Sequence, residues 1–120
     1  MSFGRPYIMK TKGYIHDGWF VLRLNISINT DYFYYLLSSR VVQSQFVQLA
    51  SGSVVKNISG DLVKKAVLPI PPLAHQQVIV DKLLEISAQT KKLEVIYQQK
   101  LADLEELKKS ILQKAFDGEL

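Results

Sequence analysis

Apolar residues in the C-terminal part of the chain recur at alternating spacings of four and three. Ile79, Leu83, Ile86, Leu93, Tyr97, Leu104, Leu107 and Ile111 fall on this repeat, and Thr90, Lys100 and Lys114 are its polar positions. That period is the seam of a coiled coil, in which one helix edge interlocks with a partner. No Gly or Pro interrupts residues 73–117. Pro71 and Pro72 mark where such a helix begins, because proline is tolerated in a first turn and pushes its predecessor into an extended shape. Gly118, just past the last apolar residue, is a helix stop. The spacing predicts one helix from about Leu73 to Phe116, roughly 65 Å long at about 1.5 Å per residue. Val80, Leu84, Ile96, Leu101, Leu112, Ala115 and Phe116 flank the seam and widen the apolar stripe, so the helix is expected to touch more than one neighbour.

The first seventy residues read differently. From Trp19 to Ile28 the chain alternates, with Phe20, Leu22, Leu24, Ile26 and Ile28 on one face and Val21, Arg23, Asn25 and Ser27 on the other. This is the pattern of a half-buried strand. His16-Asp17-Gly18 reads as a turn before it, and Gly13-Tyr14-Ile15 as the preceding strand of a hairpin. Asn29-Thr30-Asp31 supplies capping side chains for a short helix over Tyr32–Leu37, expected to lie against the sheet. Ser38-Ser39 interrupts or caps again, and Val42, Phe46 and Leu49 share one face of a second helix over Arg40–Ala50. Ser51-Gly52-Ser53 ends that helix, Val54–Ile58 is extended or loop, and Ser59-Gly60-Asp61 caps a short turn. Ala66–Ile70 reads as a final strand. The expected fold class is α+β: a small mixed α/β domain over residues 1–71, followed over 72–120 by one long coiled-coil helix.

Charge sharpens this division. Residues 1–72 hold eight Lys or Arg and three acids, a balance of +5, whereas residues 73–120 hold seven bases and eight acids, a balance of −1. The net +4 therefore belongs to the N-terminal part. A basic, aromatic-bearing segment joined to a nearly neutral rod points to a nucleic-acid face on one and a protein-docking face on the other. Ordinary surface solubility is the competing reading of the same charge. The chain has no cysteine, which excludes disulfide scaffolds and thiolate metal sites and fits a reducing cytoplasm. No apolar run is long enough to span a bilayer, and the first residues lack the apolar core of a signal peptide.

Catalytic signatures are thin. His16 and His75 are the two histidines, with no spacing that would bind a metal, and no G-x-S-x-G, P-loop or G-x-G-x-x-G occurs. Glu106-Leu107-Lys108 looks like the tail of a nuclease motif but sits across the seam. His16 beside Asp17 suggests a base and its orienter, yet adjacent residues are expected to point apart. The chain is expected not to be an enzyme by itself, and no metal site is assigned.

Three stretches carry a family resemblance. They are Leu49-Ala-Ser-Gly-Ser-Val-Val-Lys56-Asn-Ile58, then Pro69-Ile-Pro-Pro-Leu-Ala-His-Gln-Gln77 with Val78-Ile79-Val80 and Leu83, then Leu107-Lys-Lys-Ser-Ile-Leu-Gln-Lys-Ala-Phe-Asp-Gly-Glu-Leu120. In this order they resemble the C-terminal end of a DNA specificity subunit of type I restriction-modification systems, and Asp31-Tyr-Phe-Tyr-Tyr-Leu-Leu-Ser-Ser resembles the first of two helices before that family's Ser-Gly-Ser/Thr-x-x-Lys loop. One departure is His75, where the family usually has a Glu suited to capping the helix.

The resemblance implies bacterial defence and a DNA-binding role without catalysis. Such a subunit has two target-recognition domains, each reading half of a split site, with long helices pairing as an antiparallel coiled coil that spaces them. Residues 1–71 would be the C-terminal portion of one recognition domain, its first half lying upstream of Met1, so a truncated gene, a split half-subunit or an expressed fragment is expected. The implied partners are double-stranded DNA, an adenine-specific DNA methyltransferase subunit and an ATP-dependent restriction subunit. S-adenosylmethionine, ATP and Mg would belong to those partners, and no cofactor to this chain. Candidate phosphate contacts are Arg5, Lys10, Lys12, Arg40, Ser53 and Lys56, each of which could equally be a solvated surface residue. Tyr14, Trp19, Tyr34 and Tyr35 are expected in a core or interface rather than stacked on bases. A homodimer through the seam is expected for an isolated half, its helix orientation open. A coiled-coil adaptor that binds protein and not DNA is the alternative.

Overall fold

The computed structural model describes residues 4–50 and 59–120. Four helices follow one another: α1 (Thr30–Ser38), α2 (Arg40–Ala50), α3 (Gly60–Val63) and α4 (Leu73–Phe116). The chain divides into two units, one ending at Asp81 and the other running from Lys82 to Leu120. The first unit thus takes in the opening turns of α4.

Side-chain and backbone caps account for several of the helix ends. The Asn29 side chain accepts the Tyr32 amide at 3.0 Å and caps α1. Ser39, in extended conformation, ends α1, and its Oγ accepts the Val42 amide at the start of α2. Ser59 caps α3 by accepting the Leu62 amide. At the far end of α4, Glu119 N donates to Lys114 O and Gly118 N to Ala115 O, with Gly118 at φ +76°. That is a Schellman cap, and the left-handed conformation it needs is one glycine adopts without a Cβ penalty.

The core of the first unit is small. Tyr32, Leu36 and Leu37 of α1 pack with Val42 and Phe46 of α2 and with Val80 of α4. Ile28, Phe33, Tyr35, Val63, Ala66 and Leu68 pack around this cluster. The shared face of α2 is Val42, Phe46 and Ala50, with Leu49 only partly buried.

The expected α+β class is corrected. The described residues contain helices and no strand. Residues 19–28 alternate as a strand would, but Phe20, Leu22, Leu24 and Ile26 are 40–61% exposed. Alternation states which face would be buried; a strand also needs a neighbour to complete its ladder of hydrogen bonds, and none lies beside this segment among the described residues. The hairpin partner at Gly13–Ile15 fails for the same reason, although the turn itself forms, Trp19 N donating to His16 O at 3.1 Å. Ala66–Ile70 fails for another. Its backbone groups are taken by side chains: Gln45 accepts from Val67 N at 2.8 Å and donates to Val67 O at 3.0 Å, and Tyr32 Oη donates to Pro69 O at 2.9 Å. Pro69 has no N–H to offer a ladder. The Ser51–Ser53 turn and the Val54–Ile58 loop lie outside the described residues.

Candidate nucleic-acid interface

The helical corner between α1 and α2 gathers two of the expected cations. Gln43 reaches back from α2 to donate to Leu37 O at 2.7 Å and to Gly4 O at 3.0 Å, which brings the N-terminal segment onto the corner. Gly4 lies over the buried Phe46 at φ +63°, so close that a Cβ there would meet Phe46 Cδ2 at 2.6 Å. This close approach delivers the next residue, Arg5, to an open groove lined with Pro6, Tyr7, Tyr34, Ser38 and Gln43. Arg40 opens α2 two residues beyond Ser38 and is exposed. Lys10 and Lys12 are exposed on the irregular segment that follows.

The ion pairs among the described residues are His16–Asp17, Asp61–Lys64 and Lys82–Glu85. Arg5, Lys10, Lys12 and Arg40 belong to none of them. Uncommitted guanidinium and ammonium groups on one unit are what phosphate contact requires, since a cation already paired must first be released. Arg5 and Arg40 sit at the corner; Lys10 and Lys12 are carried on a separate stretch. Ser53 and Lys56 fall outside the described residues.

The aromatic residues divide. Tyr35 is partly buried and meets Tyr34 edge to face, ring centroids 5.6 Å apart at 70°. Tyr14 and Trp19, expected in a core or interface, are exposed, Tyr14 fully so. His16 and Asp17 do not point apart: Nδ1 and Oδ1 are 2.6 Å from each other. Both side chains are more than four-fifths exposed, and water screens such a pair to little effect.

Reading by residue type missed the glutamines. Gln76 is 1% exposed, the buried polar side chain of the core region. Its Oε1 accepts Asn29 N at 2.8 Å and its Nε2 donates to Pro71 O at 2.7 Å. Gln77 Oε1 accepts from Asn29 Nδ2 at 2.9 Å. The only local signal was that Gln76 and Val80 stand four apart in the helix, on one face. His75, where the helix cap was in question, is exposed, and α4 starts from backbone bonds of His75 and Gln76 to Pro72 O.

Beyond Asp81 the seam residues are open. Ile86, Leu93, Tyr97, Leu104, Leu107 and Ile111 are 47–61% exposed, and Leu83 is partly buried. Ile79, at 40%, is the exposed seam residue of the first unit. Lys100 Nζ stands 5.8 Å from the centre of the Tyr97 ring, a cation–π contact on the seam itself. No helix among the described residues is long and apolar enough to cross a membrane.

The small helical unit thus carries exposed cations in none of the ion pairs among the described residues, and α4 beyond it carries an open apolar edge: a DNA-specificity class of chain is what such parts are compared with. Comparison gives that class a family. Residues 1–109 match the type I restriction modification DNA specificity domain, and the chain belongs to that family. The specificity subunit of the type I restriction enzyme EcoBI from Escherichia coli is 34% identical over 84 residues, which are 70% of this chain and 18% of that subunit. The match thus spans less than a fifth of the relative's length. No solved structure matches the chain.

Proposed function

We propose that this chain is the non-catalytic, DNA-reading part of a type I restriction-modification complex, holding duplex DNA with its basic unit and docking enzyme subunits along α4. The observation that carries this reading is the coincidence of the family match over residues 1–109 with Arg5, Lys10, Lys12 and Arg40 lying outside the ion pairs of the described residues, on the unit where the net positive charge lies. Arg5 and Arg40 contact phosphates from the α1–α2 corner; Lys10, Lys12, Ser53 and Lys56 extend the contacts. An adenine-specific methyltransferase subunit docks against α4, an ATP-dependent restriction subunit joins it, and these partners bring S-adenosylmethionine, ATP and Mg. The work is done in the cytoplasm, where the DNA is. Binding of the chain to duplex DNA, alone and with its methyltransferase, is expected to weaken steeply with salt, because releasing condensed counterions into a saltier solution gains less entropy. Binding that does not change between low and high salt, or no binding at low salt in the methyltransferase complex, sinks the DNA reading and leaves a protein adaptor.

Two copies also pair through the seam. Laid side by side in the same direction and in register, two such helices would set Lys100 on Lys100 and Lys114 on Lys114, like charge on like charge. Laid in opposite directions about residue 95, Ile79 meets Ile111, Leu83 meets Leu107, Ile86 meets Leu104 and Leu93 meets Tyr97. The polar positions Thr90 and Lys100 then meet each other. Thr90 Oγ1 donates to Ile86 O at 2.9 Å, which leaves its lone pairs to accept from the lysine. This arrangement puts every apolar seam residue from Ile79 to Ile111 against another and wastes none on a charge.

A further inference from the structure

We propose that Gln76 is a positioning residue, which sets the orientation of the opening turns of α4 against the α1–α2 pair. The apolar anchor of α4 in the core cluster is Val80, 2% exposed. Apolar contact resists separation but not rotation, because it is nearly indifferent to angle. A helix held by one such side chain could swivel about it. Hydrogen bonds are directional, weakening steeply as donor and acceptor leave alignment.

Gln76 supplies that direction one turn before Val80. Its carboxamide uses both ends, and the two partners come from separate stretches: the Asn29 amide before α1 and the Pro71 carbonyl before α4. The same Asn29 caps α1 with its Oδ1 and holds Gln77 with its Nδ2. Tyr32, in the first turn of α1, adds a bond to Pro69 O. The first turn of α1 and residues 69–77 are therefore joined by oriented bonds at several points, with Gln76 sealed at the centre. A leucine of similar size would fill the space and keep the apolar contact, but it would leave the Asn29 amide and the Pro71 carbonyl without partners. On the DNA-reading function proposed above, from which this consequence follows, that orientation decides where phosphates held by Arg5 and Arg40 lie with respect to the opening turns of α4 within the first unit.

The chain has no cysteine, so a spin label can be placed on α2 and another on α4 as Val47→Cys and Val78→Cys, both at exposed positions of the first unit. Double electron–electron resonance on the full chain, diluted with unlabelled copies, is expected to give one narrow distance. In the Gln76→Leu background the distribution is expected to broaden at least twofold while circular dichroism shows the helices retained; a merely stabilising residue would lower the melting temperature and leave the distance at low temperature unmoved. An unchanged width with Gln76→Leu overturns the proposal. Should that variant lose its helices, the exposed Gln77→Ala decides instead: partial broadening supports the role and an unchanged width overturns it. Broadening in a chain that binds no DNA would uphold the positioning role while ending the DNA reading.

Discussion

Asn29 uses every polar atom it has. Its amide donates to Gln76, its Oδ1 accepts the Tyr32 amide, its Nδ2 donates to Gln77 and its carbonyl accepts the Phe33 amide. Asn29→Ala removes the cap and the bond to Gln77 together, and the expected loss is about 1–2 kcal/mol of stability by urea denaturation. Asn29→Asp retains the cap and is expected to recover most of it. The capping role was legible from Asn-Thr-Asp ahead of an apolar run, since the whole interaction spans three residues. The Gln76 bond was not: the two residues are 47 apart, and nothing local marks a glutamine as buried. Nor could the side-chain contact of His16 and Asp17 be read from adjacency, which does not say how the turn directs them.

At the scale of elements, the helices were legible and the strands were not. The bounds Arg40–Ala50 and Leu73–Phe116 agree with the expectations, because helix hydrogen bonds close within the segment and their start and stop signals are local. A strand has no such independence, and the alternation of residues 19–28 named a face without supplying a neighbour. The prolines before α4 and the glycine after it acted as expected. The long seam is exposed in the single chain. Leu104→Asp, placing a charge in the centre of the seam, is expected to convert a dimer to a monomer in sedimentation. Orientation has its own measure. Single variants Ile86→Cys and Leu104→Cys are expected to form a disulfide-linked dimer only when mixed; linkage of either variant with itself would show the parallel arrangement and rule out the opposed one about residue 95.

The whole molecule separates a basic unit from a nearly neutral helix, a division already plain in the charge count of the two parts of the chain. What the count leaves out is that Arg5 is brought to the corner where Arg40 opens α2, because Gln43 and the bare backbone of Gly4 hold the N-terminal segment there. The double reversal Arg5→Glu with Arg40→Glu is expected to reduce the slope of log binding against log salt by about 2, at roughly 0.9 for each phosphate left without its arginine. Binding to the methyltransferase subunit, proposed above to dock on α4, is expected to stay unchanged in the same variant. A slope that does not move would assign the DNA contacts to other cations of the unit.

The amino-acid order alone determined the long helix, its ends, its apolar edge, the two preceding helices and the placement of charge, because each depends on periodicity, caps or counting within a short stretch. Tertiary structure alone decided that residues 66–70 spend their backbone bonds on Gln45 and Tyr32 rather than on a sheet, that Gln76 is sealed against Asn29, and that Arg5 stands beside the start of α2. These depend on groups far apart along the chain meeting at hydrogen-bond distance, and local pattern carries no record of that meeting.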